Sequence, residues 1–293
     1  ALRLDAVQAL RAASPALRVG VVQPNLPVAH ARDPRRLAGQ LEGLQSATAR
    51  LEAAGAELVV WPEGAYPYGV SRTARQAPTG ARAFGARGPL LTGAITDAGR
   101  CARWNSVLSV APDGALLGVS DKVELIPFGE TVPLWSWLPP LQERFPCPGL
   151  RAGEAPGVLR AANARVGVLN CYEDVLPAHA RRVAQHAPDF LVNVTNDGWF
   201  GPSAEPHLHD AVARLRAIET RRDLVRATNT GVSSHTAATG ERLAATEIFV
   251  ATELQADVRR LAGVTAWVRF GDTTTPALTL ALLMTAWTRR PRA

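Results

Sequence analysis

The sequence is almost without lysine. Of its 32 Lys and Arg residues, Lys122 is the only lysine, so arginine supplies the cation at every other basic position. Where arginine is the default cation, an isolated lysine indicates a site that a planar guanidinium does not fit, because lysine carries a compact ammonium whose pKa responds to burial. Composition alone leaves a second interpretation equally open, in which Lys122 is an ordinary surface residue.

Cysteine is also scarce, at positions 101, 147 and 171 only. Three cysteines are too few for a disulfide scaffold, and no CxxC pair or Cys/His cluster has the spacing of zinc ligands. Cys101 and Cys147 can pair in an oxidising compartment, but nothing in the sequence places them together, so free thiols are expected. His207 and His209 have a spacing that suits a metal, but without a second ligand cluster we expect packing or hydrogen-bonding roles. Neither a metal nor a cofactor is predicted.

The chain carries an excess of positive charge, but its basic residues form no clear pattern along the sequence. The net charge is +6 and the pI about 10, which suits nucleic acid or an anionic membrane surface. The arginines are scattered, often in pairs on predicted helix faces, with no basic stripe interleaved with aromatic residues, so a nucleic-acid partner is not expected. With 47% hydrophobic and 20% charged residues, the chain has the composition of a globular protein.

Short apolar runs alternate with longer helical patterns along the chain. The runs "LRVGVVQPN", "AELVVWPEG", "ARVGVLNCYED" and "DFLVNVTND" predict buried strands, and "HDAVARLRAIETRRD" has helical periodicity. Continuous apolar strands are typical of a sheet whose two faces are both covered. The fold class is therefore predicted to be α/β.

Two segments depart from this pattern. Residues 134–153 are rich in Trp, Pro and Leu, which predicts a long surface loop, either a lid or binding loop or an ordinary packed connection. Residues 273–287 are uncharged and are followed by an arginine cluster at 289–292. We predict a membrane helix there, although the run is shorter than the roughly 20 residues that usually span a bilayer. A buried or interfacial terminal helix is the alternative.

Three polar residues stand at the ends of predicted apolar strands: Glu63, Lys122 and Cys171. Strand ends are where catalytic groups gather in open α/β sheets. A thiol is a good nucleophile only as the thiolate, so it needs a base or a cationic neighbour. Glu63 can take the proton, and Lys122 can stabilise the oxyanion that forms at an attacked carbonyl. Taken singly, each has a structural alternative: a helix cap, a solvated cation and a core residue.

The contexts of these residues resemble the carbon–nitrogen hydrolase (nitrilase) superfamily, whose members use a Glu–Lys–Cys triad. "VVWPEGAYP", "DKVELIPFGETVPL" and "GVLNCYED" are similar to its glutamate, lysine and cysteine motifs. "PFGETVP", "NVTNDGWFG" and "RLRAIETRRDLVRATNTGVS" resemble the apolipoprotein N-acyltransferase branch in particular. The resemblance implies a nitrilase-like αββα four-layer sandwich with a short apolar C-terminal helix.

The resemblance also implies an activity. That branch moves an acyl chain from a phospholipid, through a cysteine thioester, to the N-terminal amine of a diacylglyceryl-cysteine apolipoprotein, the last step of lipoprotein maturation. Carried over by position, Cys171 is the nucleophile, Glu63 the general base, and Lys122 the group that stabilises the tetrahedral intermediates.

Further positions of this sequence match the branch. Glu130 and Glu173 match supporting acidic positions of the site. Tyr172 and Trp199 match positions that bind substrate. His209 matches a family histidine, and His207 is an addition to the pattern.

The implied organisation has three parts. Residues 1–16 are expected to connect to a missing N-terminal membrane bundle, residues 17–263 to form the catalytic domain, and residues 264–293 to form a tail with the membrane helix. The catalytic domain is then expected on the periplasmic side of the bacterial inner membrane, with the arginine cluster on the cytoplasmic side. The expected partners are a phospholipid acyl donor, an apolipoprotein acceptor and the membrane.

Two other functions remain open on the sequence. The first is a soluble carbon–nitrogen hydrolase, an amidase that uses the same triad on a small amide. The second is an inert binding module on the same fold, against which the presence of all three triad residues argues.

Overall fold

Two β-sheets packed face to face form the centre of the molecule. The computed structural model describes residues 2–27, 33 and 35–288 of the chain. In chain order, the strands are β1 (Ala16–Gln23), β2 (Leu58–Val60), β3 (Val70–Ser71), β4 (Leu90–Asp97), β5 (Arg103–Val110), β6 (Leu116–Asp121), β7 (Val158–Ala161), β8 (Ala164–Asn170), β9 (Phe190–Thr195), β10 (Leu224–Thr228), β11 (Ser234–Thr236), β12 (Arg242–Ala245) and β13 (Thr252–Arg259). The α-helices are α1 (Leu2–Ala13), α2 (Leu37–Ala53), α3 (Pro139–Arg144), α4 (Pro177–Gln185), α5 (Glu205–Thr220), α6 (Ala266–Phe270) and α7 (Thr274–Thr288).

The first sheet carries two of the three predicted triad residues. Its strand order is β13-β1-β2-β4-β5-β6, with β3 beside β4. Strands β1, β2 and β4 run parallel, whereas β5, β6 and β13 join antiparallel. Glu63 follows β2, and Lys122 follows β6 directly.

The second sheet carries the third predicted triad residue, Cys171. Its order is β12-β11-β10-β9-β8-β7, and its three central strands β8, β9 and β10 are parallel. Their carboxyl ends at Asn170, Thr195 and Thr228 therefore lie along one edge of the sheet. Cys171 follows the first of these ends, so the predicted triad draws residues from both sheets.

The main hydrophobic core fills the space between the sheets. It includes Val19 and Val21 of β1 together with Val192 and Val194 of β9, all fully buried. Burial of apolar side chains from both inner faces is the main force that holds the two sheets together.

Helices cover the outer faces. In α2, the buried residues Leu44, Thr48 and Leu51 recur every three or four positions and pack on the first sheet. Helices α4 and α5 cover the second sheet through a cluster that includes Val183 and Ala217. The layers are thus helix, sheet, sheet and helix, and the predicted αββα fold class is confirmed.

The segment predicted to be a connector contains a helix, α1, that is anchored on the sandwich. Arg11 donates two hydrogen bonds to the buried carboxylate of Asp223, at 2.7 Å from Nε and 2.8 Å from the terminal nitrogen. Burial opposes ionisation of this carboxylate, but hydrogen bonds from His235, Arg11 and the backbone amide of Arg259 hold the pKa of Asp223 at about 2. Helix α1 is therefore fixed to the domain by a charged pair.

The C-terminal apolar run forms α7, which coincides with the predicted membrane helix at residues 273–287. Its side chains Leu278, Leu280, Leu282 and Met284 are more than half exposed. Across the part of the chain that the structure describes, no helix combines the length and the apolar character needed to cross a membrane. The membrane assignment therefore stays a prediction, and the arginine cluster at 289–292 lies outside the described residues.

Residues 134–153 form a long surface connection, as predicted, with α3 as a short helix within it. Cys147 of this loop forms a disulfide with Cys101, and their Cα atoms are 5.2 Å apart. The expectation of free thiols at these two positions was wrong. The turn between β4 and β5 brings Cys101 beside the loop, a proximity across 46 residues that no local pattern in the sequence encodes.

Candidate active site

Cys171 lies at a sharp turn directly after β8. Its φ is 53°, in the left-handed region that a non-glycine residue enters at a cost of about 1–2 kcal/mol. A short 3-10 helix begins there, over Cys171–Val175. Asn193 of β9 donates its side-chain amide to the carbonyls of Leu169 at 3.1 Å and Cys171 at 3.0 Å, which holds the turn in place. The sulfur is thus presented at a strand end by a fixed and strained backbone.

Glu173 fixes this turn against the lysine segment. Its side chain is buried and accepts hydrogen bonds from the backbone amides of Asn170 at 2.8 Å, Val123 at 2.6 Å and Glu124 at 3.1 Å. The structure therefore brings the predicted supporting residue Glu173 to the site. There it links the backbone just before Cys171 to the backbone just after Lys122.

Glu63 is positioned by tight packing on both sides of it. Trp61, two residues earlier, is fully buried and donates its indole N–H to Thr48 of α2 at 2.8 Å. On the other side, a Cβ built on Gly93 of β4 would lie 2.7 Å from the Cα of Glu63 and 2.4 Å from the carbonyl oxygen of Pro62. The backbone that carries Glu63 thus packs so closely on β4 that only glycine fits at position 93.

Lys122 is buried, with 1% of its side chain exposed, so the surface interpretation of this residue was wrong. Its ammonium lies 2.9 Å from the Glu130 carboxylate and 3.7 Å from that of Glu63. Burial opposes the charge, but the carboxylates of Glu63 and Glu130 outweigh it, so the pKa of Lys122 lies above its ordinary value. The ammonium is charged throughout the physiological range.

The Cys171 thiol and the Glu63 carboxylate belong to the same cluster as the Lys122 ammonium. The side chains of Glu63, Lys122 and Thr195 lie close enough to the Cys171 sulfur to affect the pKa of its thiol. Burial and the nearby Glu63 charge raise the pKa of Cys171, and burial raises the pKa of Glu63 despite the pull of Lys122. In the resting state the sulfur therefore keeps its proton, beside a carboxylate with a strengthened affinity for one.

Asn105 of β5 joins these groups and was not predicted from the sequence. Its side-chain amide donates to Glu63 at 2.6 Å and to Glu130 at 3.1 Å, and its carbonyl accepts from Asn170 at 3.2 Å. Its backbone carbonyl also accepts from the amide of Lys122 at 2.8 Å. A single asparagine inside an apolar strand pattern was the available signal, because a buried amide needs polar partners.

The predicted substrate-binding residues Tyr172 and Trp199 lie at the surface, with 49% and 74% of each residue exposed. Tyr172 follows the cysteine, and Trp199 lies in the short helix that follows β9, so both stand on the edge where the parallel strands end. Phe128 and Trp137, in the segment after Lys122, are more than 80% exposed. We call these four aromatic residues the apolar rim.

A second buried polar cluster lies beneath this edge. His209 of α5 is bonded through its two ring nitrogens to Asp174 at 2.7 Å and Asp197 at 2.9 Å, and Arg226 of β10 also contacts Asp174. Burial disfavours the imidazolium, but the two aspartates raise the pKa of His209 to about 9. Since both nitrogens of a protonated ring are donors, His209 has the expected hydrogen-bonding role, while His207 is exposed.

Three observations from known proteins bear on this arrangement. The profile of the carbon-nitrogen hydrolase family matches residues 18–267. The apolipoprotein N-acyltransferase of Geobacter metallireducens is 35% identical over 229 residues, which cover 75% of this chain and 43% of that protein. That of Chlorobaculum tepidum is 30% identical over 296 residues, which cover 90% of this chain and 55% of that protein. The chain thus spans about half the length of the curated relatives it matches.

Solved structures share the fold. A mutant of the Nesterenkonia AN1 amidase from the nitrilase superfamily aligns with a TM-score of 0.64 at 17% identity, over 91% of this chain and 97% of the amidase. The glutamine-dependent NAD+ synthetase from Acinetobacter baumannii aligns with a TM-score of 0.62 at 16% identity, over 85% of this chain and 47% of the synthetase. Given the family match over most of its length and this shared αββα architecture, the chain belongs to the carbon-nitrogen hydrolase family.

Proposed function

We propose that this chain is the catalytic domain of an apolipoprotein N-acyltransferase, which acts through a thioester on Cys171. The observation that carries the proposal is the cluster of the partly buried Cys171 thiol and Glu63 carboxylate with the buried Lys122 ammonium, where strand ends of both sheets meet. The lipid substrates are inferred from the curated relatives of that name.

In the first half-reaction, the Cys171 sulfur attacks the carbonyl carbon of a phospholipid ester. Glu63 takes the thiol proton as the carbon–sulfur bond forms. Negative charge develops on the carbonyl oxygen, and the Lys122 ammonium, a cation with three N–H donors that hydrogen-bonds Glu130 at 2.9 Å, stabilises it. The ester bond then breaks, Glu63 returns the proton to the leaving alkoxide, and a lysophospholipid departs.

In the second half-reaction, the α-amine of a diacylglyceryl-cysteine attacks the thioester carbonyl. Glu63 takes a proton from the amine, and Lys122 again faces the oxyanion. Collapse of the intermediate breaks the carbon–sulfur bond, and the sulfur of Cys171 recovers the proton from Glu63. The product is an amide, and the enzyme returns to its resting state.

The surroundings of the cluster favour a lipid donor. The apolar rim provides four exposed aromatic side chains on segments next to the triad, a surface that suits acyl chains better than a small polar amide. The disulfide favours an oxidising compartment, in agreement with a catalytic domain on the periplasmic side of the bacterial inner membrane. The membrane anchor and the apolipoprotein acceptor belong to the same proposal.

The test is the intact mass of the protein after incubation with phospholipid in detergent, beside Cys171→Ala. We expect an adduct of acyl mass on the wild type only, removed by neutral hydroxylamine, which cleaves thioesters. A labile acyl adduct on the Cys171→Ala protein would refute the nucleophile assignment.

Hydrolysis of a small amide is the competing function, since the structural neighbours include an amidase. Adding a peptide that begins with diacylglyceryl-cysteine to the acylated protein separates the two functions. We expect the acyl group to leave Cys171 faster with this peptide than with water alone, and to appear on its α-amine. A rate that the peptide does not change would favour the hydrolase.

A further inference from the structure

The disulfide joins two segments that both reach the proposed triad. Cys101 lies in the turn that connects β4 and β5, and β5 carries Asn105, the hydrogen-bond partner of Glu63. Cys147 begins a short stretch outside the helices and strands, residues 147–151, which we call the return segment because it leads the loop back to the domain.

The return segment holds the main chain around Glu130. The amide of Leu150 donates to the carbonyl of Glu130 at 2.7 Å, and the amide of Val132 donates to the carbonyl of Pro148 at 2.7 Å. The approach is so close that a Cβ on Gly149 would lie 2.2 Å from the Glu130 carbonyl oxygen. Any movement of the return segment therefore moves the backbone of Glu130.

Glu130 in turn holds the ammonium of Lys122. Its carboxylate lies 2.9 Å from Nζ and accepts from the amide of Ile126 at 3.0 Å and from Asn105 at 3.1 Å. The contacts thus run without a gap from the cross-link, through the return segment and Glu130, to Lys122.

The backbone at Cys101 indicates that its side chain matters. Its φ is 62°, a conformation that glycine or asparagine adopts at lower cost, within a turn closed by a hydrogen bond of 2.9 Å from the amide of Ala98 to the carbonyl of Ala102. The geometry of the turn alone therefore does not explain why a cysteine stands at position 101.

We propose that Cys101 and Cys147 are positioning residues, whose disulfide fixes the return segment and thereby holds Glu130 and Lys122 in their catalytic geometry. The inference rests on the proposed triad, but not on the identity of the acyl donor. Reduction by a dithiol transfers two electrons and two protons to the bond, giving two cysteine thiols and a cyclic disulfide. Oxidised glutathione reverses it, accepting two electrons and two protons to become two glutathione thiols.

The test uses p-nitrophenyl butyrate, an activated short-chain ester whose reaction with Cys171 needs no lipid recognition. The burst of p-nitrophenol reports formation of the acyl-enzyme. We expect the burst rate constant of Cys101→Ser/Cys147→Ser to fall about tenfold with an unchanged amplitude, because a small displacement of Lys122 weakens its hold on the oxyanion. When the wild type is reduced while folded, its burst rate constant should fall by the same factor, and it should recover after reoxidation.

A double-mutant cycle separates positioning from general loosening. In the Glu130→Gln background, we expect loss of the cross-link to slow the burst less than about twofold further, because the path to Lys122 is already broken. An equal loss in both backgrounds, or no loss in either, overturns the proposal.

Hydrogen exchange tests the position of the return segment without relying on acylation of Cys171. We expect the amides of Val132 and Leu150 to exchange at least about tenfold faster after reduction, since the bonds they donate are the ones that the cross-link is proposed to hold. Unchanged exchange at both amides overturns the proposal even if the wild type gives no burst. Absence of a burst in the wild type, by contrast, counts against the proposed triad.

Discussion

Among single residues, Lys122 depends for its proposed role on the shape of its surroundings as well as on its charge. A buried ammonium with carboxylates at 2.9 Å and 3.7 Å acts as a compact point donor, a geometry that the wider, planar guanidinium does not reproduce. We expect Lys122→Arg to lower the rate of acyl-enzyme formation on the order of a hundredfold, although the charge is kept. The burst assay measures this, with Arg50→Lys at an exposed ion pair as the control. Near-normal turnover of Lys122→Arg would contradict the idea that Lys122 donates to the oxyanion as a point charge.

The proposed role of Glu63 as the base predicts how the rate of the reaction depends on pH. Burial raises the pKa of this carboxyl above its ordinary value of 4.5, and the carboxyl acts as a base only when ionised. The rate of acyl-enzyme formation should therefore fall as the pH drops through the raised pKa, at a higher pH than for an exposed glutamate. A profile of burst rate against pH measures this. Glu63→Gln should lose the acid limb together with about 10²- to 10⁴-fold of the rate. An acid limb at or below pH 4.5 in the wild type would be inconsistent with a buried base.

The sequence predicted which residues would meet, but not how all of them act. Glu63, Lys122 and Cys171 could be found because each stands at the end of an apolar strand within a recognisable motif. Asn105 was missed, because an asparagine in an apolar strand signals burial with polar partners but does not identify those partners as Glu63 and Glu130. The function of Glu173 was also beyond the sequence, because its partners are backbone amides, which no residue type identifies.

At the scale of elements, β4 determines where Glu63 lies. A Cβ at Gly93 would lie 2.4–2.7 Å from atoms of residues 62–64, all of them backbone, so the segment that carries Glu63 would have to move. We expect Gly93→Ala to lower the burst rate on the order of a hundredfold, since misplacement by about 1 Å costs that much.

The matched control for Gly93→Ala is Gly43→Ala in α2, where a Cβ would meet nothing within 4 Å. That change should leave the burst intact and raise the free energy of unfolding by up to about 1 kcal/mol, since alanine is the better helix former. A Gly93→Ala protein with a normal burst would show that the first sheet does not fix the base.

The strands and helices themselves were largely predictable. Continuous apolar runs predicted β1, β2, β8 and β9, because strands buried on both faces have no polar side to interrupt the pattern. Their pairing was not predictable in the same way. Strand β13 lies beside β1 although more than 200 residues separate them, and such contacts depend on the packing of the whole chain.

At the scale of the whole molecule, the cross-link between Cys101 and Cys147 contributes to stability as well as to the site. It closes a loop across 46 residues, which in the unfolded chain removes conformational freedom worth about 4 kcal/mol. We expect reductant, or Cys101→Ser/Cys147→Ser, to lower the free energy of unfolding by up to this amount. Urea unfolding with and without a dithiol measures it. Cys171→Ala keeps the cross-link and serves as the control, and a wild type indifferent to reductant would refute the expectation.

The buried position of Lys122 affects whether the protein can acylate its own side chains. An enzyme that holds an activated thioester and transfers it to amines endangers every accessible lysine side chain on its own surface. In this chain, arginine takes all the other basic positions, and guanidinium groups are protonated and poorly nucleophilic at neutral pH. The single lysine amine is 1% exposed, paired with carboxylates and kept protonated. If the chain transfers acyl groups as proposed, this composition protects it from acylating its own side chains, and after prolonged turnover the acyl mass should be confined to Cys171 and the acceptor.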